Sequence, residues 1–339
     1  MLSIFVEASC NRYERDECVE CHVFEPLTPH FNAEGWHLTA GQARIMADKI
    51  GQVEVLQALA RQEINLTGGE ASQNPYIVEI FKIFQTVTPH VCLHTNLEIK
   101  SRRSPRWQRL EAIARLGGRI DITLYPTAWE AYQKPLLAAL LELQNRLLVN
   151  LVFFDLGDLD RQLRLMEEFF SQRGAFGPVV SLLQDYRARL SALRAARPHC
   201  READYTARMG ETGAFARAGD FVFGINLLPA FKIDPAGRRA MTSLPFPQDP
   251  YLLTCPAVRG SIDIMTIQMN GEMTPCCDVG NLKCRPKFGN LLTDPPEDLL
   301  RRFEAARRIM QSGVEKNREN LNQGRGGEWV AEGVPPYCI

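Results

Sequence analysis

Short β-type runs alternate with amphipathic helical stretches from Ser3 to Leu227, and this alternation constrains the fold more than any other feature of the chain. The expected strands are Ser3 to Ala8, Glu63 to Thr67, Val91 to Asn96, Arg119 to Tyr125, Leu147 to Phe153 and Phe221 to Leu227. Between them the apolar spacing predicts helices at Thr39 to Leu59, Tyr76 to Phe84, Trp107 to Leu116, Trp129 to Leu147 and Leu159 to Phe170. Thr39 is placed as an N-cap, and Gly117-Gly118 closes the third helix just ahead of a strand. Strand and helix in strict alternation read as an α/β fold with a parallel barrel or open barrel.

Successive side chains on a strand point to opposite faces, so each run also says what lies on either side of the sheet. One face carries Glu7, Asn65, Thr67, His94, Asn96, Asp121, Thr123, Asn150 and Asn226. The other carries Ile64, Leu66, Leu93, Ile120, Ile122, Leu124, Leu151, Phe153, Phe223 and Ile225, and suits contact with outer helices. A lumen that were only packing core would carry branched aliphatics on both faces. The expectation is a lumen that holds a polar ligand. For any single one of these residues, a turn or cap role at a strand end is the plainer alternative.

The stretch Asp155 to Asp220 is too long for a simple crossover and carries Arg187, Arg189, Arg194, Arg197, Arg201 and Arg208. Such a helix can clamp a carboxylate or phosphate, but a solvated charged face is the favoured reading. Lys+Arg of 39 against Asp+Glu of 40 gives no net field to draw in nucleic acid or an anionic membrane, so neither is expected as a partner. No apolar run approaches the ~20 residues needed to span a bilayer, and "MLSIFVEAS" is no secretion signal. A cytoplasmic location is expected, where ten cysteines are better read as metal or cluster ligands than as disulfides.

Three of those cysteines, Cys10, Cys18 and Cys21, fall in the loop after the first strand, and "LTGGE" (Leu66 to Glu70) closes the second. Three thiolates leave one iron of a four-iron, four-sulfur cluster without a protein ligand, which implies chemistry at that iron. The order of strand, thiolate loop, helix, strand and Gly-Gly-Glu resembles the radical S-adenosylmethionine (SAM) superfamily. "EASCN" gives the Cys-Asn opening common in that family, although seven residues separate Cys10 from Cys18, a longer spacer than is usual there. Glu20 stands where members tend to have an aromatic residue against adenine, a contact that His22 or Phe24 would take over. The same residues also allow a structural zinc site, built on the Cys18-Val-Glu-Cys21 pair with Cys10 and His22 or His30.

Past the Pro-rich "SLPFPQDPY", the segment "CPAVRGSIDIMTIQMNGEMTPCC" places fifteen residues between Cys255 and Gly271, and four between Gly271 and Cys276. "SIDIMTIQM" alternates as a strand, Asn270-Gly271 is a hairpin turn, and "EMTP" returns antiparallel. A Gly-Asn turn and a helix opened by Asp294-Pro295 follow. This resembles the opening of the SPASM or twitch auxiliary-cluster domains found on many radical SAM enzymes. With five cysteines in the region, one auxiliary cluster is expected, on Cys255, Cys276, Cys284 and Cys338, with Cys277 as the spare.

The resemblance implies a partial (β/α)6 parallel barrel over residues 1–235 and a small auxiliary-cluster domain over 236–339. It implies a SAM-binding [4Fe-4S] cluster on Cys10, Cys18 and Cys21, with SAM met by Gly68, Gly69 and Glu70 and by Asn96. Asp121, Asn150 and Asn226 are the further candidates for SAM or substrate. Reductive cleavage of SAM would give a 5′-deoxyadenosyl radical that takes a hydrogen atom from the substrate. An electron donor of the flavodoxin or ferredoxin type is implied as a partner. The substrate is either a peptide or protein side chain or a small polar metabolite, and oxidation, bond formation and epimerisation all stay open. No peptide-recognition domain is expected ahead of the first strand. A non-catalytic iron–sulfur carrier or structural metal protein is the alternative from a different class.

Overall fold

The computed structural model of the chain describes residues 1–11, 37–153, 156–196, 213–229, 265–274, 288–305 and 308. In chain order the elements are β1 (Leu2–Glu7), α1 (Ala40–Gln52), α2 (Glu54–Gln62), β2 (Ile64–Gly68), α3 (Ile77–Gln85), β3 (Val91–Thr95), α4 (Pro105–Arg115) and β4 (Arg119–Leu124). There follow α5 (Lys134–Leu141), β5 (Arg146–Phe153), α6 (Leu156–Ser171), α7 (Gly177–Ala196), β6 (Gly213–Ala218), β7 (Phe221–Pro229), β8 (Met265–Ile267) and β9 (Met273–Thr274). A last helix, α8, covers 296–305. The chain divides into two compact units, Met1–Val91 with Asp234–Ile339, and Cys92–Ile233.

In the first unit β1 lies between β2 and β8 and pairs in parallel with both, Ser3 standing opposite Asn65 on one side and Thr266 on the other. The hairpin β8–β9 therefore extends the sheet that carries the first cysteine. Its turn uses Gly271 at φ 86°, where a Cβ would stand 2.4 Å from Asn290 Oδ1. Asn290 caps the next turn, and α8 buries Leu299 and Phe303, the latter ring against Phe288. α1 starts from a capping box: the Thr39 hydroxyl accepts from the Gln42 amide, and the Thr39 amide donates to the Gln42 side chain. Its buried Ala43, Met46, Ala47 and Ile50 follow helical spacing. The expected single helix Thr39 to Leu59 is two helices, broken at Val53, which is extended and follows the helix-weakening Gly51.

In the second unit the strands run in the order β3, β4, β5, β7, β6, with β3/β4, β4/β5 and β5/β7 parallel and β6/β7 antiparallel. All six expected strands are present across the two units, with ends within a residue or two of expectation. The two faces divide as the alternation predicts. Leu93, Ile120, Ile122, Leu124, Val149, Leu151, Phe223 and Ile225 are buried, and α6 lays Phe170 edge-on against Phe223. α4 begins earlier than expected because Ser104 caps it, accepting from the Trp107 amide, with Pro105 in the first turn. The expected helix Trp129 to Leu147 is instead a π-helical segment Trp129–Gln133 running into α5.

The expected solvated face of the Arg-rich helix is met by Arg189 and Arg194, which are exposed, and not by Arg187, which is half-buried. On α7, Arg187 bonds Asp160 and Glu167 of α6, and Arg189 pairs with Asp185 one turn away. Arg197, Arg201 and Arg208 lie outside the described residues. No described helix is long and apolar enough to cross a membrane.

Candidate functional site

In the first unit the Gly-Gly-Glu segment is zipped to the end of β1. The Gly69 amide donates to the Glu7 carbonyl and the Glu70 amide to the Ser9 carbonyl, both at 2.8 Å. Glycine is required by this backbone-to-backbone approach. A Cβ on Gly68, whose φ is 136°, would stand 2.2 Å from Glu7 O, and one on Gly69 would stand 2.4 Å from Ser9 O. A register shift between Phe5 and Glu7 falls at the same place and leaves Glu7 opposite Gly68.

Cys10 follows directly, with its thiol partly exposed. Its loop springs from β1 and returns beside it: the Leu38 amide donates to the Val6 carbonyl at 3.0 Å. Asn74, fully buried, donates from Nδ2 to both the Val6 and Leu38 carbonyls and so clasps the two ends of the loop. Cys18 and Cys21, with Glu20, His22, Phe24 and His30, lie outside the described residues. Cys255, Cys276, Cys277, Cys284 and Cys338 do as well.

Two buried carboxylates flank the zip. Glu7 accepts from the Ser9 amide at 2.9 Å and from the Ser9 hydroxyl at 2.8 Å, while the Gln73 side-chain amide lies 2.8 Å from that hydroxyl. Glu70 accepts from the amide and hydroxyl of Ser72, capping the short 3-10 turn Ala71–Gln73. That bond sets the Glu70 carboxylate in place beside the glycines. Neither Asn74 nor Ser72 stood out in the sequence, although an Asn-Pro step after Gly-Gly-Glu is itself a turn signal.

The polar face of the second unit resolves into two rows. Thr123, Asn150 and Asn226 stand opposite one another, and Asn226 donates from Nδ2 to Asn150 Oδ1 at 3.0 Å. Two residues earlier along the strands, His94 stands opposite Asp121. Asp121 is wholly buried and takes both arms of Arg119, Nε at 2.7 Å and Nη2 at 2.8 Å. The structure thus brings Asn150 and Asn226 together and separates Asp121 from them, with its charge matched by a guanidinium. The signal for that pair is in the sequence, since residues two apart on a strand share a face.

Asn96 is buried just past β3, and its Oδ1 accepts from the Glu98 amide across Leu97, which adopts a left-handed φ of 52°. A residue that sequence reasoning missed holds this corner. Gln133, wholly buried, accepts from the Tyr125 amide and donates to the carbonyls of Asn96 and Thr123 at 2.7 and 2.8 Å. The π-helical segment turns it inward, a use such segments often have beside functional sites. Cys92 was missed too; it shares the face of His94, two residues on.

No protein-family model matches the chain, and no curated protein does. Similar solved structures include Streptococcus suis SuiB bound to S-adenosylmethionine, at 14% identity and a TM-score of 0.48, over 99% of this chain and 69% of that one. SuiB bound to its precursor peptide SuiA has 13% identity and a TM-score of 0.49, over 88% of this chain and 64% of that one. A further SuiB structure has 13% identity and a TM-score of 0.47, with the same coverage of 88% and 64%. The chain thus spans less than two thirds of the length of the latter two.

Proposed function

We propose that the chain is a radical SAM enzyme, with an iron–sulfur cluster on Cys10, Cys18 and Cys21 and SAM bound against Gly68, Gly69 and Glu70. The observation that carries the reading is the zip between the two motifs. Residues that lie about sixty positions apart in sequence meet through Gly69 to Glu7 and Glu70 to Ser9, one residue short of Cys10. They meet at the carboxyl ends of two parallel strands, where α/β sheets bind their ligands.

Of the three cysteines, Cys10 is the one among the described residues, and its setting suits a cluster ligand. Cys10 is partly exposed at a strand end, and its loop is pinned at both ends by Asn74 and the Leu38–Val6 bond. When bound and reduced, such a cluster supplies the electron that cleaves SAM to methionine and a 5′-deoxyadenosyl radical, which takes a hydrogen atom from the substrate. The chain's own residues bind and orient. The two glycines let the backbone close on the cysteine-bearing strand, and Glu70, its rotamer set by Ser72, presents a buried negative charge suited to the SAM amino group. Asn96, Asp121, Asn150 and Asn226, on the second unit, are assigned to SAM or substrate from the family resemblance. Of these, Asn150 and Asn226 act as one amide pair, and Asp121 is a neutralised ion pair with Arg119.

The same reading gives the C-terminal cysteines Cys255, Cys276, Cys284 and Cys338 to one auxiliary cluster. A flavodoxin- or ferredoxin-type donor would supply electrons, and the substrate would be a peptide or protein side chain or a small polar metabolite. Iron analysis of the anaerobically reconstituted chain tests the assignment. About eight irons per chain are expected, falling to about four in Cys18→Ala and to about four in Cys276→Ala. Zinc in place of iron at both cysteine sets overturns it.

A further inference from the structure

We propose that Cys92, His94 and Asp121 form a mononuclear site for a zinc ion, built from residues distinct from both cysteine sets assigned to iron; Asp121 then serves the ion in place of the SAM or substrate contact that the family resemblance offers it. The site lies wholly within the second unit. Cys92 and His94 are two residues apart on β3 and share one face, and Asp121 stands opposite His94 on the neighbouring parallel strand. Sulfur, nitrogen and oxygen donors thus converge, and the three lie within 4.8 Å of one another.

The spacing of His94 and Asp121 suits two ligands of one ion. His94 Nε2 is 3.5 Å from Asp121 Oδ2 and is buried, yet it makes no hydrogen bond among the described residues. A charge-assisted hydrogen bond between the two would be shorter, about 2.7–2.9 Å. Two donors on one tetrahedral zinc ion, with bonds of about 2.0–2.3 Å, stand about 3.3–3.7 Å apart. The observed separation matches the second arrangement.

Arg119 completes it as a positioning residue. Its two bonds hold the Asp121 carboxylate from behind and leave each oxygen a further lone pair, the outer-shell support that ligating carboxylates carry. Charge is also accommodated. A thiolate and a carboxylate balance the two charges of zinc, and Arg119 adds a single positive charge partly open to solvent. Three protein donors leave a fourth position on zinc, which a water or a polar atom of a ligand can fill.

Zinc-edge X-ray absorption on the full chain, purified anaerobically from zinc-supplemented cells and loaded with iron, tests the proposal. The expected result is about one zinc per chain whose shell holds one sulfur and two or three nitrogen or oxygen atoms. His94→Ala should lose that zinc and keep its full iron content, and Cys92→Ser should lose the sulfur scatterer. A shell of three or four sulfurs would place the zinc at a cluster motif and overturn the proposal, as would a zinc content near zero. The sulfur count is read on the unaltered chain, so it decides even if both variants fail to fold. A chain that takes up zinc with this shell but never iron would leave the site standing and sink the radical reading.

Discussion

The amide of Glu70 donates to the carbonyl of Ser9 at 2.8 Å, which fixes the acidic end of the Gly-Gly-Glu segment one residue from the first cysteine. Whatever Cys10 binds is held in register with Glu70 by the backbone itself. Side-chain substitutions nearby therefore leave the juxtaposition in place, whereas adding a single methyl group to the glycines removes it.

Gly69→Ala makes that case. Its Cβ would meet Ser9 O at 2.4 Å and Ala8 O at 2.7 Å, and neither atom can rotate away because both belong to the backbone. The expected cost is about 1–3 kcal/mol of stability, the range for overpacking. Urea denaturation reads that cost. The rate of SAM cleavage should fall more than tenfold in the folded fraction, because the zip must part for the alanine to fit. An unchanged rate in folded Gly69→Ala would disconnect the zip from activity.

Gln133→Leu should destabilise the second unit by about 1–3 kcal/mol, since it strips a partner from the buried Asn96 carbonyl and from the half-buried Tyr125 amide and Thr123 carbonyl. Arg189→Met is the control. Its partner Asp185 is half exposed, so a change below about 0.5 kcal/mol is expected. Denaturant midpoints for the two variants, measured side by side, check the contrast.

Much of this fold is legible in the sequence, and the failures have physical causes. Apolar runs bounded by turn residues mark β1 to β5 and β7, and Thr39 announces its helix through the capping box with Gln42. β6 reads "GAFARA", too poor in β-branched residues to signal a strand, and exists because it can pair antiparallel with β7. The hairpin at Asn270-Gly271 is visible locally. Its parallel pairing of Met265 with Leu2 is a long-range choice that no local pattern encodes. The Trp129 to Leu147 stretch keeps an apolar period through its π-helical start, so nothing in it betrays that Gln133 points inward. At the site, Cys10 and the Gly-Gly-Glu segment come from motif order. The pairing of Asp121 with Arg119 follows from strand alternation, which also aligns Cys92 with His94.

Acid should loosen the α6–α7 pair. Burial by itself raises the carboxyls of Asp160 and Glu167, but hydrogen bonds outweigh it, from Arg164 and Arg187 to Asp160 and from Gln184 and Arg187 to Glu167. Both carboxyls are therefore held below their ordinary range in the folded chain. As pH falls, the unfolded chain takes up protons first, at about pH 4, so the stabilisation is complete above that range and is lost as pH falls through the lower folded values. Urea midpoints between about pH 6 and pH 3 should drop steeply in the natural chain and less steeply in Arg187→Met. Parallel curves would mean that Arg187 does not hold these groups.

The central claim is tested most directly by 5′-deoxyadenosine. The iron-loaded chain is mixed anaerobically with SAM and a strong reductant, and the nucleoside is quantified over time beside Cys18→Ala. Slow release by the natural chain, even without its substrate, and none by the variant is the predicted result. A folded chain that carries its iron and binds SAM but releases no 5′-deoxyadenosine would contradict the account and favour an iron–sulfur protein without turnover.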